Sequence, residues 1–157
     1  MAGDDQKKYI SQKKRDELKE ELDHLKNTRR QEVAEEIERT KALGDLSENA
    51  EYQQARADQA SLEGRISEIE ELLREAEIVE KTGSDEVQVG STVSIRKKHS
   101  SKEQEYEIVG EEEADMSTGK IAHTSPVASA LLGHKKEETV EIETPNGTAE
   151  YTIESVQ

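Results

Sequence analysis

GDLSENAEY, residues 44–52, decides the fold, because it interrupts what otherwise reads as one continuous helical pattern. Upstream, from Ser11 to about Ala42, there is no Gly or Pro, and Leu18, Leu22, Leu25, Val33 and Ile37 recur at intervals of three, four and eight. Such spacing draws an apolar stripe along one face of a helix. Ser11 is a suitable N-cap, since its hydroxyl can accept from an unpaired first-turn amide. Downstream, Ala55, Leu62, Ile66, Ile69, Leu73 and Ala76 make a second stripe from about Asn49 to Ile78. A break confined to Leu43–Ser47 turns the second helix back on the first, giving an antiparallel coiled-coil hairpin over residues 1–79. Each arm of roughly 30 residues would be about 45 Å long. Leu and Ile gather at the open end of the hairpin, while the stripe thins to Ala42, Ala50 and Ala55 near the bend, which predicts a slender tip. At Arg29 a charged residue replaces an apolar one and the spacing slips, which reads as a stutter in the supercoil.

Composition bounds the rest. The chain has 157 residues, 31% apolar and 38% charged, with no Phe, Trp or Cys, so long solvated helices account for much of it better than one large core does. Absence of Cys excludes disulfides and thiolate metal sites. His24, His99, His123 and His134 are too widely spaced for a local zinc site. No apolar run approaches the roughly 20 residues that span a bilayer, and MAGDDQKKYI lacks the apolar core of a signal peptide. The expectation is therefore a cytoplasmic protein without a membrane partner. A net charge of −15 argues against broad binding to a nucleic-acid backbone, so any such contact must be local or arranged by a partner.

After Thr82-Gly83-Ser84 the pattern changes to strands, expected at Val87–Ile95, Glu105–Val109, Lys120–His123, Thr139–Glu143 and Ala149–Val156. Pro145-Asn146-Gly147 marks a hairpin turn, because Asn-Gly tolerates positive φ. Ser125-Pro126 opens a short helix that Gly133 ends. Residues 80–157 thus read as a small antiparallel-sheet-plus-helix domain, and the whole chain as α+β.

Two readings of the bend stand side by side. Asp45 and Glu48 fit a capping box, with Asp45 as N-cap and Glu48 reaching back. They also form a carboxylate pair of the kind Mg²⁺ accepts when waters and phosphate oxygens complete its shell. Arg29, Arg30, Arg39, Lys41 and Arg56 lie toward the same end, and read either as a solvated face with paired charges or as a modest basic patch that guides a single strand.

GDLSENAEYQQAR (44–56), EGRISEIEELL (63–73), VGEEEAD (109–115) and SPVASALLG (125–133) together resemble the bacterial Gre transcript cleavage factors, over nearly the whole chain and in the family's order. The resemblance implies an FKBP-like C-terminal domain that binds RNA polymerase at the rim of its secondary channel, with the hairpin entering the channel. It implies that Asp45 and Glu48 help hold the polymerase's second Mg²⁺ and a water, so that the polymerase cleaves backtracked RNA. It places Lys41, Tyr52 and Arg56 near the nascent RNA 3′ end, and Asp115, Ser125 and Pro126 on the polymerase-binding surface. No cofactor is expected to be stably bound, the Mg²⁺ being shared with the polymerase, and the chain is expected to be a monomer and not itself an enzyme. A homologue that binds polymerase and modulates it without cleavage is the competing expectation, and the intact acid pair speaks against it. Prolyl isomerase activity is rejected, because residues 80–157 contain only Tyr106 and Tyr151 to line an aromatic pocket.

Overall fold

The computed structural model describes residues 7–44, 49–80 and 83–157. These divide into two compact units, Arg15–Glu75 and Met1–Lys14 with Ala76–Gln157. In place of a single boundary after residue 79, the described residues before Arg15, 7–14, group with the C-terminal part. The reason is a short parallel pair, β1 (Tyr9–Ile10) with β2 (Glu77–Ile78), closed by Glu77 N–H to Lys8 O and Val79 N–H to Ile10 O, both 2.9 Å.

The helical unit is built from α1 (Gln12–His24), a π-helical turn (Leu25–Arg29), α2 (Arg30–Lys41) and α3 (Ala50–Glu75). The slip at Arg29 is this π turn and not a stutter of the supercoil. Arg30 N–H reaches Leu25 O, five residues back, so the ladder itself absorbs one extra residue. A seven-residue repeat through Leu18, Leu22 and Leu25 would continue at 29, 32 and 36. With one residue inserted it continues at 30, 33, 37 and 40; Arg30 there is exposed, Ile37 is half-buried, and Val33 and Thr40 are the buried residues of α2. Val33, Leu62 and Ile66 form a core flanked by Leu22, Leu25 and Ile37. Toward the bend the buried pair is Thr40 with Ala55, while Ala42 and Ala50 are exposed. At the far end of α3, Leu72 is buried and Leu73 only half-buried, the reverse of the expected stripe.

The second unit carries a five-stranded sheet of order β5-β4-β3-β7-β6. Its strands are β3 (Thr92–Lys97), β4 (Glu103–Val109), β5 (Lys120–Ala122), β6 (Thr139–Thr144) and β7 (Gly147–Val156), with one short helix, α4 (Pro126–Leu131). The α+β class holds, but the sheet is mixed: β5 runs parallel to β4, because two short 3₁₀ turns, Glu111–Glu113 and Met116–Thr118, carry the chain back before it pairs. The first expected strand starts late. Gly90 at φ 98 breaks it, leaving Val87 bonded to His134 and Gly133 at the exit of α4, and β3 begins only at Thr92. Ser125 caps α4 by accepting from Ala128 N–H at 3.2 Å, with Pro126 in its first turn. In the β6–β7 hairpin Thr144 pairs with Gly147, so Pro145 and Asn146 form the corner. The positive φ falls on Gly147 (114°) and not on Asn146. Val93, Ile95, Ile108, Leu131, Ile142 and Ile153 close the core between sheet and α4.

Candidate functional site

At the hairpin bend, Asp45 and Glu48 lie outside the described residues. Their neighbours decide what the motif does structurally. α3 starts at Ala50, and the residue before it, Asn49, accepts the Tyr52 N–H on Oδ1 at 3.0 Å. That is an N-cap bond, so the cap of α3 belongs to Asn49, four residues past the position the capping-box reading gave to Asp45. The same side chain donates from Nδ2 to Thr40 O at 2.6 Å. Thr40 O is one of the last carbonyls of α2, which have no partner within the helix. Thr40 O also accepts from Leu43 N–H at 3.1 Å, so the one amide caps an orphan donor of α3 and adds a second donor to a carbonyl at the end of α2. Thr40 itself is fully buried, with its hydroxyl returned to Glu36 O at 2.8 Å. Gly44 at φ 127 takes the turn, next to Leu43, which is 59% exposed.

The basic residues near the bend separate into two groups. Arg29 pairs with Glu32, Arg30 forks onto both oxygens of Glu63 at 2.9 Å, and Arg39 pairs with Glu36 and Glu51. Arg39 holds the Glu36 carboxyl below the usual carboxylate range, and Arg30 does the same to Glu63. For these three the paired-charge reading is correct. Lys41, at the end of α2, and Arg56, near the start of α3, are both exposed and have no acidic partner among the described residues. Arg56 donates only to Gln59 Oε1, at 3.0 Å. Tyr52 is half-buried, so part of its ring is presented to solvent.

In the other unit, the expected docking residues fall on the segment from Gly110 to Pro126. Asp115 opens the second 3₁₀ turn, accepting from Ser117 N–H at 3.0 Å and Ser117 O–H at 2.6 Å. These two bonds, the hydroxyl first, hold its carboxyl below the ordinary Asp value, with Lys120 adding to them. Backbone bonds from Asp115 N–H to Lys120 O (2.8 Å) and Lys120 N–H to Asp115 O (3.0 Å) close the loop. At its crest stands Met116, 72% exposed and missed by the sequence reading, though a lone Met in a polar loop is itself a signal. Ser125 and Pro126 sit at the start of α4, where Ser125 is spent on capping and Pro126 is exposed. The histidines are dispersed: His24 ends α1, His99 sits in a turn at φ 66, and His134 Nδ1 lies 2.7 Å from Glu138. His123 is buried edge-on against Tyr9.

Both halves of the chain match known families. Residues 8–78 match the family described as "Transcription elongation factor, N-terminal", and residues 81–157 match "Transcription elongation factor, GreA/GreB, C-term". The chain is 43% identical over 152 residues to "Transcription elongation factor GreA" of Halalkalibacterium halodurans, covering 96% of each chain. It is 43% identical over 155 residues to the protein of the same name from Roseiflexus sp. strain RS-1, covering 98% of this chain and 99% of the relative. Among solved structures, GreA factor homolog 1 of Thermus thermophilus aligns over 97% of this chain and 99% of its own, at 23% identity and a TM-score of 0.44. This chain belongs to the GreA/GreB family of transcription elongation factors.

Proposed function

We propose that the chain is a transcript cleavage factor: it binds RNA polymerase at the rim of the secondary channel and stimulates the polymerase's own hydrolysis of backtracked RNA. The observation that carries this reading is the division of labour inside the motif. Asn49 caps α3 and ties it to Thr40, so neither acid is needed as the cap. Asp45 and Glu48 are the ligands we assign, because a pair of carboxylates suits the all-oxygen shell that Mg²⁺ demands. When bound, Mg²⁺ supplies Lewis acidity that makes a water nucleophilic at neutral pH and stabilises the leaving oxygen. Asp45 and Glu48 would hold the ion together with groups of the polymerase, so the chain is not an enzyme by itself.

Lys41 and Arg56 support the same reading. They are the basic residues near the bend without an acidic partner among those described, and their charge suits the phosphates of the RNA 3′ end. Arg56 brings a planar fork that can bond two phosphate oxygens, whereas Lys41 brings a point charge. Tyr52 offers a partly exposed ring against which a base can stack. On the second unit, the turn before β5 offers Asp115 and the exposed Met116, and the start of α4 after it offers Ser125 and Pro126, for docking on the polymerase.

Stalled elongation complexes test the proposal directly. Adding the chain shortens the RNA from its 3′ end, and Asp45→Ala or Glu48→Ala reduces the rate by at least about 10- to 100-fold, the cost of losing even a group that supports a metal ligand. The variants still compete with the parent chain for polymerase. Full stimulation by both variants would remove the acids from the mechanism, and binding with no cleavage by the parent chain would replace this reading with that of a modulator.

A further inference from the structure

The acidic run Glu111-Glu112-Glu113-Ala114-Asp115 looks, as a sequence, like a patch of charge for a basic partner. Its geometry is different. Glu111 Oε1 accepts from the Thr124 hydroxyl at 2.9 Å, and Asp115 Oδ1 accepts from Ser117. Glu113 accepts twice from one residue a hundred positions away in sequence: from Ser11 N–H on Oε2 at 3.0 Å, and from Ser11 O–H on Oε1 at 2.6 Å. The Ser11 oxygen meanwhile accepts from Lys14 N–H at 3.0 Å, which fixes the hydroxyl and aims its hydrogen at Glu113. Three of the run's four acids, Glu111, Glu113 and Asp115, are thus committed inside the unit.

Glu113 is the one that ties this loop to the β1 segment. That segment already lies on the loop's base: a Cβ at Gly110 would come within 1.6 Å of Tyr9 O, so only glycine lets the two backbones meet. Two residues past Glu113 comes the closed turn bearing Asp115 and the exposed Met116. Ala114, the link, is extended (φ −62, ψ 129) and contributes no hydrogen-bonding side chain. The stem of the turn is therefore held on its N-terminal side by the Glu113 carboxylate. A carboxylate that accepts two bonds is a stronger clamp than a neutral acceptor.

We propose that Glu113 is a positioning residue: clamped by Ser11, it presents the Asp115–Met116 turn to RNA polymerase, and so sets how tightly the factor docks without entering the cleavage chemistry. This rests on the docking role assigned to that turn above. It is a role for a residue whose partner the sequence does not reveal, since Ser11 already has a complete local explanation as the cap of α1.

Two measurements on the full chain test it. In cleavage assays, Glu113→Ala raises the half-saturating factor concentration by about tenfold, the scale of a lost charge-assisted bond, while the rate at saturation is unchanged. Glu113→Gln, which keeps one acceptor oxygen, lies between Ala and the parent, and Ser11→Ala falls near it. Val140→Ala, a core variant remote from the loop, serves as the control for general destabilisation. If it raises half-saturation as much at an equal loss of melting temperature, the positioning role is overturned. Amide hydrogen exchange without polymerase is the second measurement: Ser117, Thr118 and Lys120 exchange faster in Glu113→Ala than in the parent. Unchanged exchange overturns the clamp itself. Faster exchange in a chain that neither binds polymerase nor stimulates cleavage leaves the clamp standing and refutes the functional reading beneath it.

Discussion

Replacing Asn49 by alanine removes two hydrogen bonds with one edit, and their sizes can be worked separately. Loss of an Asn N-cap costs about 1 kcal/mol, here the Oδ1 bond to Tyr52 N–H at 3.0 Å. Loss of the Nδ2 bond to Thr40 O, at 2.6 Å, costs about 1 kcal/mol more, the net worth of one hydrogen bond, since the carbonyl keeps its bond from Leu43 N–H. The sum is about 2 kcal/mol. For a helical unit of this size that is a fall in melting temperature of about 10 °C. Far-UV circular dichroism reads it, since the hairpin helices dominate that signal. Asn49→Ser separates the two bonds: a hydroxyl can cap Tyr52 N–H but is too short to reach Thr40 O, so about half the loss is recovered. Asn49→Asp keeps the cap and turns an acceptor toward the Thr40 carbonyl, and it does no better than Ser. The reasoning fails if Asn49→Ala costs less than about 0.5 kcal/mol, or if Ser is as damaging as Ala. In cleavage assays the same variants should lose activity in the order of their loss of stability, because a bend that frays carries Asp45 and Glu48 with it.

Two further outcomes follow from the geometry. Deleting Thr28 from the π turn converts it to ordinary α-helix and leaves Val33, Ile37 and Thr40 on the buried face, so the hairpin keeps its stability. Deleting exposed Glu35 in α2 instead rotates the remaining stripe by about 100° and unfolds that end of the helical unit; equal melting curves for the two deletions would refute the phase argument. Asp115 and Glu63 are both held below their ordinary values, by Ser117 and Arg30 respectively. Each therefore keeps its charge to lower pH folded than unfolded, and its contribution is complete at neutral pH and lost as pH falls through the folded value. Acidification should loosen the Asp115 turn and the Arg30–Glu63 contact while mild alkali leaves both intact. An NMR titration of the Ser117 amide that moves at or above the usual Asp range would contradict it.

How far the chain could be read in advance depended on the range of each interaction. Periodicity placed both arms of the hairpin and its bend, and cap chemistry placed α4 to within a residue, because these signals act between residues three or four apart. The strand pattern located most of the sheet but misjudged β3, where the φ of Gly90 (98°) outweighed a run of β-formers. Parallel pairing of β5 was invisible, since nothing in Lys120–Ala122 says which way its neighbour runs. At the bend, two acids at capping spacing pointed to Asp45, and the amide four residues on was passed over because its second partner, Thr40, lies in the preceding helix.

The sequence by itself determined the helical hairpin, the switch to strands after residue 82, the capped helix at Ser125-Pro126 and the family to which the motifs belong. Tertiary structure alone decided that the slip at Arg29 is a π turn, since that is a choice of hydrogen-bond partner within the helix and not of residue type. It alone decided which arginines are spent on glutamates of the same hairpin and which cations remain. It alone joined Ser11 to Glu113 across a hundred residues and moved the N-terminal segment onto the second unit. The physical reason is common to all three. Hydrophobic burial repeats along the chain and leaves a period, whereas the choice of partner for a hydrogen bond or ion pair, near or far in sequence, depends on where the folded backbone sets two polar atoms, and leaves none.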